Sequence, residues 1–144
     1  MKKITPSELN IKIGWLAGIV DGEGSIGHYN SKRKGYPNSP SPQYSVVIVN
    51  TDLAIINAVE DILTMLKIFY STNIKSSSTK FREGTFAPAK DCYQVSVRRR
   101  LDVEKILKLL EPQLCGYKKQ KATDLLKFFV DKPYNSKIRR VETK

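Results

Sequence analysis

The chain has little cysteine, a single histidine and no long apolar run, and each shortage closes off a class of chemistry. Cys92 and Cys115 are the two cysteines among 144 residues. They have no metal-ligand spacing and fall far short of the density of a disulfide scaffold. Reduced thiols are therefore expected, in an intracellular setting such as a prokaryotic cytoplasm or an organelle interior. With His28 as the one histidine, a single copy cannot build a His-Cys zinc site or a paired-histidine catalytic centre. The longest apolar stretch, Ile13 to Val20, is well below the roughly 20 residues that span a bilayer. The basic start at Met1 to Lys3 leads to Glu8 and Lys12, not to a signal-peptide core. No G-x-x-x-x-G-K-[ST] run occurs, so nothing points to nucleotide hydrolysis.

Acidic residues are also scarce: 14 Asp and Glu stand against 25 Lys and Arg, a formal charge of +11. Such an excess calls for a polyanionic partner. Nucleic acid is favoured over an anionic membrane, because no basic amphipathic helix is present. The charge is also segregated. Gly24 to Asn50 contains Lys32, Arg33 and Lys34 but no acid, whereas Asp52, Glu60, Asp61, Asp102, Glu104, Glu111 and Asp124 fall in segments of helical period. Strands and their loops should thus carry the positive face. A 40% hydrophobic content suits one domain over 1–131 with a real core, followed by a basic tail at 132–144.

Periodicity orders the elements. Thr5, Pro6 and Glu8 suit N-cap, N1 and N3 of a capping box, although Asn10 could cap a shorter helix. Leu9, Ile13, Leu16 and Val20 form one apolar stripe and Ile11, Trp15 and Ile19 another, so this helix is buried on several sides. Ser25 to Asn30 and Gln43 to Asn50 read as strands. The S-K-R-K-G-Y-P-N-S-P-S-P segment between them suits a flexible linker or a contact loop equally well. Asp52 caps a helix through Ile55, Ile56, Val59, Ile62, Leu63 and Leu66. A strand near 69–75, a Ser/Thr/Lys-rich loop and a strand over 92–98 follow. Val103, Ile106, Leu107 and Leu110 mark a helix that Pro112 ends, and 118–131 forms the last one. The order α-β-β-α-β-β-α-α is that of an α+β domain whose hairpins are covered by helices.

Within the first helix, Gly14, Gly18 and Gly22 recur every four residues beside Ala17. Each mid-helix glycine costs about 0.5–1 kcal/mol relative to alanine, so close backbone packing must compensate. The neighbour is either another copy or another part of this chain. Asp21 and Glu23 then fall where the helix macrodipole is already negative. A hard divalent cation would offset them; two solvated turn acids are the plainer alternative.

The nine residues Leu16 to Gly24, L-A-G-I-V-D-G-E-G, resemble the signature of the LAGLIDADG homing endonucleases. Ile19 and Val20 are conservative changes, Gly22 stands where the signature has alanine, and Glu23 stands where it has its second aspartate. The resemblance implies an αββαββα fold with a saddle-shaped antiparallel sheet and helices on its convex face. It implies double-strand cleavage of a long, quasi-palindromic DNA target by metal-dependent phosphodiester hydrolysis. No second copy of the motif is present, so a homodimer is expected, with Gly14, Ala17, Gly18, Asp21 and Gly22 at its axis. Asp21 is expected to cap or orient that helix.

By the same resemblance, Glu23 and the Gly22 carbonyl hold Mg2+ and Asn50 positions water, although glutamine is commoner at that place in the family. Lys118 faces the scissile phosphates, or Lys119 or Lys121 if the register of K-K-Q-K-A differs. Base edges would be read from Ser25, Gly27 and Tyr29, from Gln43 and Ser45, from Thr72 and Ile74, and from Gln94 and Ser96. Lys32, Arg33, Lys34, Lys75, Lys80, Arg82 and Arg98 would mostly meet phosphates. Two other functions suit the fold: an intron maturase, with host intron RNA as partner, and a DNA-binding regulator that has lost catalysis. Retention of Glu23 favours the nuclease over the regulator.

Overall fold

A computed structural model describes residues 3–33, 36–75 and 91–133, with the backbone alone over 31–33 and 36–41. Lys34, Lys80, Arg82, the side chains of Lys32 and Arg33, and most of the basic tail lie outside the described residues. The elements run α1 (Pro6–Glu23), β1 (Gly24–Arg33), β2 (Tyr36–Asn50), α2 (Leu53–Met65), β3 (Ser71–Lys75), β4 (Cys92–Val97), α3 (Arg100–Leu110), a 3-10 turn (Glu111–Gln113) and α4 (Gly116–Asp131).

Local chemistry fixes the helix starts. The Thr5 hydroxyl accepts the Glu8 N–H at 3.1 Å while the Glu8 carboxylate accepts the Thr5 N–H at 3.2 Å, so α1 begins with the expected capping box. The Asp52 carboxylate accepts the Ala54 N–H at 2.9 Å and opens α2. The last helix starts at Gly116, earlier than expected. Gly116 has φ +64, a left-handed conformation that glycine adopts without steric cost.

The four strands form one antiparallel sheet in the order β1-β2-β4-β3. Ile26, Val46, Ile48, Val95 and Val97 alternate onto one face, where they are buried with Leu16 and Val20 of α1, Ile56, Val59 and Leu63 of α2, Ile106 and Leu107 of α3, and Leu125 and Phe129 of α4. All four helices therefore cover one face of the sheet.

The segment between β1 and β2 is largely strand, neither linker nor loop. Pairing continues outward through Asn30↔Pro42, Ser31↔Ser41 and Arg33↔Tyr36. Pro37, Pro40 and Pro42 hide this in the sequence. They lie beyond the stretch of β2 that pairs with β4, Val46–Asn50, and an edge is where a strand tolerates proline.

Candidate active site

The end of α1 is the meeting point of three elements. Glu23 is the last residue of the helix and is exposed. The pairing of Gly24 with Ile48 brings the end of β2 alongside it. Asn50 closes β2 there, and its Nδ2 donates to the Glu23 Oε2. The other end of the same amide, Oδ1, accepts the Asp52 N–H at 2.7 Å. The cap of α2 thus fixes which way the Asn50 amide points, and Asn50 in turn orients the carboxylate.

α4 approaches from the other side. Lys118 is 8% exposed, and its Nζ donates to the main-chain carbonyls of Val20 at 2.9 Å and Asp21 at 2.7 Å. α1 has no basic residue in its own last turn, so Lys118 supplies the positive charge that the end of this helix needs. The role expected of this residue was a direct one at phosphate, yet two of its three N–H donors are spent on carbonyls. Lys119 and Lys121 are exposed, and Lys121 stacks over Tyr117 at 5.6 Å. The Asp21 carboxylate accepts the Cys115 N–H, with its two oxygens at 3.0 and 3.2 Å. Asp21 therefore anchors the start of α4 instead of standing at an outer face of α1.

The outer face of α1 also differs from the expected one. Ile11 is 72% exposed and Trp15 38%, and added methyl groups at Gly18 or Gly22 would meet nothing within 4 Å. Ala17, by contrast, is 1% exposed and packs in this chain's own core, while a methyl at Gly14 would meet the Gln113 Oε1 at 2.7 Å. The reason is helical geometry. Successive residues turn by about 100°, so Ala17 points well away from Gly18, and steps of four drift by about 40°, so Gly14 has turned toward the 3-10 segment. The open stripe is Ile11, Trp15, Gly18 and Gly22.

The sheet face away from the helices carries Ser25, Gly27 and Tyr29 on β1 opposite Val47, Ser45 and Gln43 on β2. Across β4 the row continues through Gln94 and Ser96. On β3 it continues through Ser71, Asn73 and Lys75, not Thr72 and Ile74, because Ser71 pairs with Ser96 and Asn73 with Gln94. Thr72 faces the helices and donates to Glu60 of α2 at 2.8 Å. A one-residue slip in phase reverses every side chain, and β3 is exposed along its whole length, so no apolar alternation marks its phase. The middle of the row is closed: Ser45, Gln94 and Ser96 are 7%, 8% and 2% exposed, and the Gln94 amide donates to the Ser96 hydroxyl at 3.2 Å. These side chains lie on the inner strands, β2 and β4, with a neighbouring strand on each side. Gly27 leaves room for Ser45, since a methyl there would meet its Oγ at 2.7 Å. Ser25, Tyr29, Gln43, Ser71, Asn73, Lys75 and Arg98 are the exposed members of this face or its rim.

Solved structures supply the comparison. The chain is similar to the homing endonuclease I-CvuI, solved in complex with its target in the presence of calcium, at 21% identity and a TM-score of 0.62, over 84% of this chain and 67% of that one. It is similar to the archaeal intron-encoded homing endonuclease I-Vdi141I, complexed with DNA, at 15% identity and a TM-score of 0.60, over 85% of this chain and 71% of that one. A third is the I-SmaMI LAGLIDADG homing endonuclease bound to cleaved DNA, at 20% identity and a TM-score of 0.57, over 80% of this chain but 34% of that one. No protein-family model and no curated protein matches the sequence. The chain has the LAGLIDADG homing-endonuclease fold.

The donors at the end of α1 limit which metal could be held there. Among the described residues, no three His, Cys, Asp or Glu side chains gather into a site. One copy offers a single exposed carboxylate, Glu23, beside main-chain carbonyls. That set fits a hard cation that keeps several waters and takes further oxygens from a substrate, as Mg2+ does, and not a zinc cage.

Proposed function

We propose that two copies of this chain form a sequence-specific DNA endonuclease that makes double-strand breaks in a long, quasi-palindromic target, in an intracellular setting. The observation that carries this reading is the position of Glu23. It is an exposed, Asn50-oriented carboxylate on the residue after Gly22, at the foot of an α1 stripe that, among the described residues, stays open beside Gly18 and Gly22. Packing that stripe against its own copy brings two such carboxylates to one axis, as cleavage of two strands requires.

Glu23 and the Gly22 carbonyl would hold Mg2+, which when bound would supply charge neutralisation and a more acidic water for phosphodiester hydrolysis. Asn50 holds the Glu23 carboxylate through its amide and would help to orient the attacking water. Lys118 offsets the negative end of α1, so Glu23 can remain there. Ser25, Tyr29, Gln43 and Asn73 would meet base edges, and Lys75 and Arg98 phosphates, giving affinity that falls steeply with salt.

The test is incubation of a randomised duplex library with magnesium, calcium or chelator, followed by sequencing of the ends. Magnesium-dependent cuts at one quasi-palindromic sequence are expected. Binding without cutting would leave a regulator, and a preference for host intron RNA over duplex DNA would leave a maturase.

A further inference from the structure

Lys118 and Asp21 both meet at the last turn of α1, which ends in Glu23, and each is spent on main chain: Lys118 on carbonyls of α1, Asp21 on the N–H of the residue that caps α4. The contacts are reciprocal. α1 gives two carbonyls to the Lys118 ammonium and a carboxylate to the Cys115 N–H, whereas α4 gives the ammonium and the N–H. Cys115 and Lys118 lie one helical turn apart, so the carboxylate that holds the start of α4 also delivers the ammonium to the end of α1.

One acceptor joins this clamp to the site. The Val20 carbonyl takes the Lys118 Nζ at 2.9 Å and also accepts the Gly24 N–H that closes α1. A shift of Lys118 therefore moves the bond that fixes Gly24, the residue next to Glu23. Burial strengthens the effect, because an ammonium removed from water holds its carbonyl partners more tightly than an exposed one.

We infer that Asp21 and Lys118 are positioning residues, a clamp between α1 and α4 that sets where Glu23 stands. This rests on the nuclease reading for its consequence in catalysis, but the clamp itself does not. Asp21 acts through Cys115 and α4, and Lys118 acts through Val20 and Gly24. Neither needs to touch substrate.

The experiment compares the unmodified protein with Asp21→Ala, Asp21→Asn and Lys118→Met. Amide-resolved hydrogen exchange of the whole chain is the first arm. Exchange at Glu23 and Gly24 should quicken at least about tenfold in Asp21→Ala and Lys118→Met, and return near the original rate in Asp21→Asn, whose side-chain oxygen still accepts the Cys115 N–H. The second arm uses the duplex recovered from the library. The single-turnover rate in magnesium should fall about 10- to 100-fold in Asp21→Ala, with the Kd in calcium within about threefold and partial rescue in Asp21→Asn.

Unchanged exchange at Glu23 and Gly24 in both disruptive variants overturns the clamp. Equal losses of binding and cutting overturn it as well, since they would mark a general loss of folding. If the unmodified protein cuts nothing, the nuclease reading falls while the exchange arm still decides the clamp.

Discussion

The Asn50 amide divides its two ends between the Glu23 carboxylate and the Asp52 main chain, and that division determines what substitution does at either position. Glu23→Gln keeps an oxygen that can accept from Asn50 but removes the charge a divalent ion requires. Cleavage in magnesium is expected to fall at least about 100-fold, while binding in calcium, read by gel shift, stays within about threefold. Magnesium-dependent cutting by this variant at the original rate would place the metal elsewhere. Asn50→Ala has a different signature. The Asp52 N–H loses its acceptor at the start of α2, and Glu23 becomes free to rotate. A loss of about 0.5–1.5 kcal/mol in urea denaturation should accompany a rate loss of about 10- to 100-fold. A rate loss without the stability change would separate Asn50 from the α2 cap. Glu23 was legible from its position in a nine-residue signature. Asn50 was assigned to the same site by the resemblance, but its hydrogen bond to Glu23, 27 residues away in sequence, was not read, because it forms through the pairing of β1 with β2.

Helices were read more accurately than strands, for a physical reason. α1 and α2 announce themselves by caps that satisfy particular N–H groups and by apolar residues at 3.6-residue spacing. β3 has neither: all five of its residues are exposed, and only its register with β4 assigns them to faces. The long β1–β2 hairpin was obscured by prolines that an edge position permits. The phase of β3 makes its own prediction. Asn73→Ala should change which base pairs are tolerated in the target, and Lys75→Ala should lower affinity across all sequences and reduce the slope of log affinity against log salt by about 1. Thr72→Ala should leave target choice alone and act only through the lost bond to Glu60. Profiling cleavage of single-base target variants checks this. A changed preference in Thr72→Ala with none in Asn73→Ala would reverse the assigned face.

At the scale of the whole molecule, the chain buries its core under four helices on one face of the sheet yet leaves Ile11, Trp15, Gly18 and Gly22 uncovered along α1. Two glycines in a helix with open space beside them cost stability that no contact among the described residues returns. A second backbone lying against them would offset that loss, because small residues let helix axes approach closely. Gly18→Leu discriminates between this and a purely internal role. Among the described residues the first carbon of the new side chain has nothing within 4 Å, so the monomer should fold as before or gain slightly from replacing a mid-helix glycine. At the proposed axis two leucines would be forced between the helices. Sedimentation should show a dimer for the unmodified protein and a folded monomer for the variant, with double-strand cleavage lost because neither monomer carries both Glu23 carboxylates. If Gly18→Leu remains dimeric and active, the copies meet on another surface and the uncovered stripe has a different occupant. If the unmodified protein is itself a stable monomer bound to DNA, two-fold cleavage by a pair of α1 ends is ruled out.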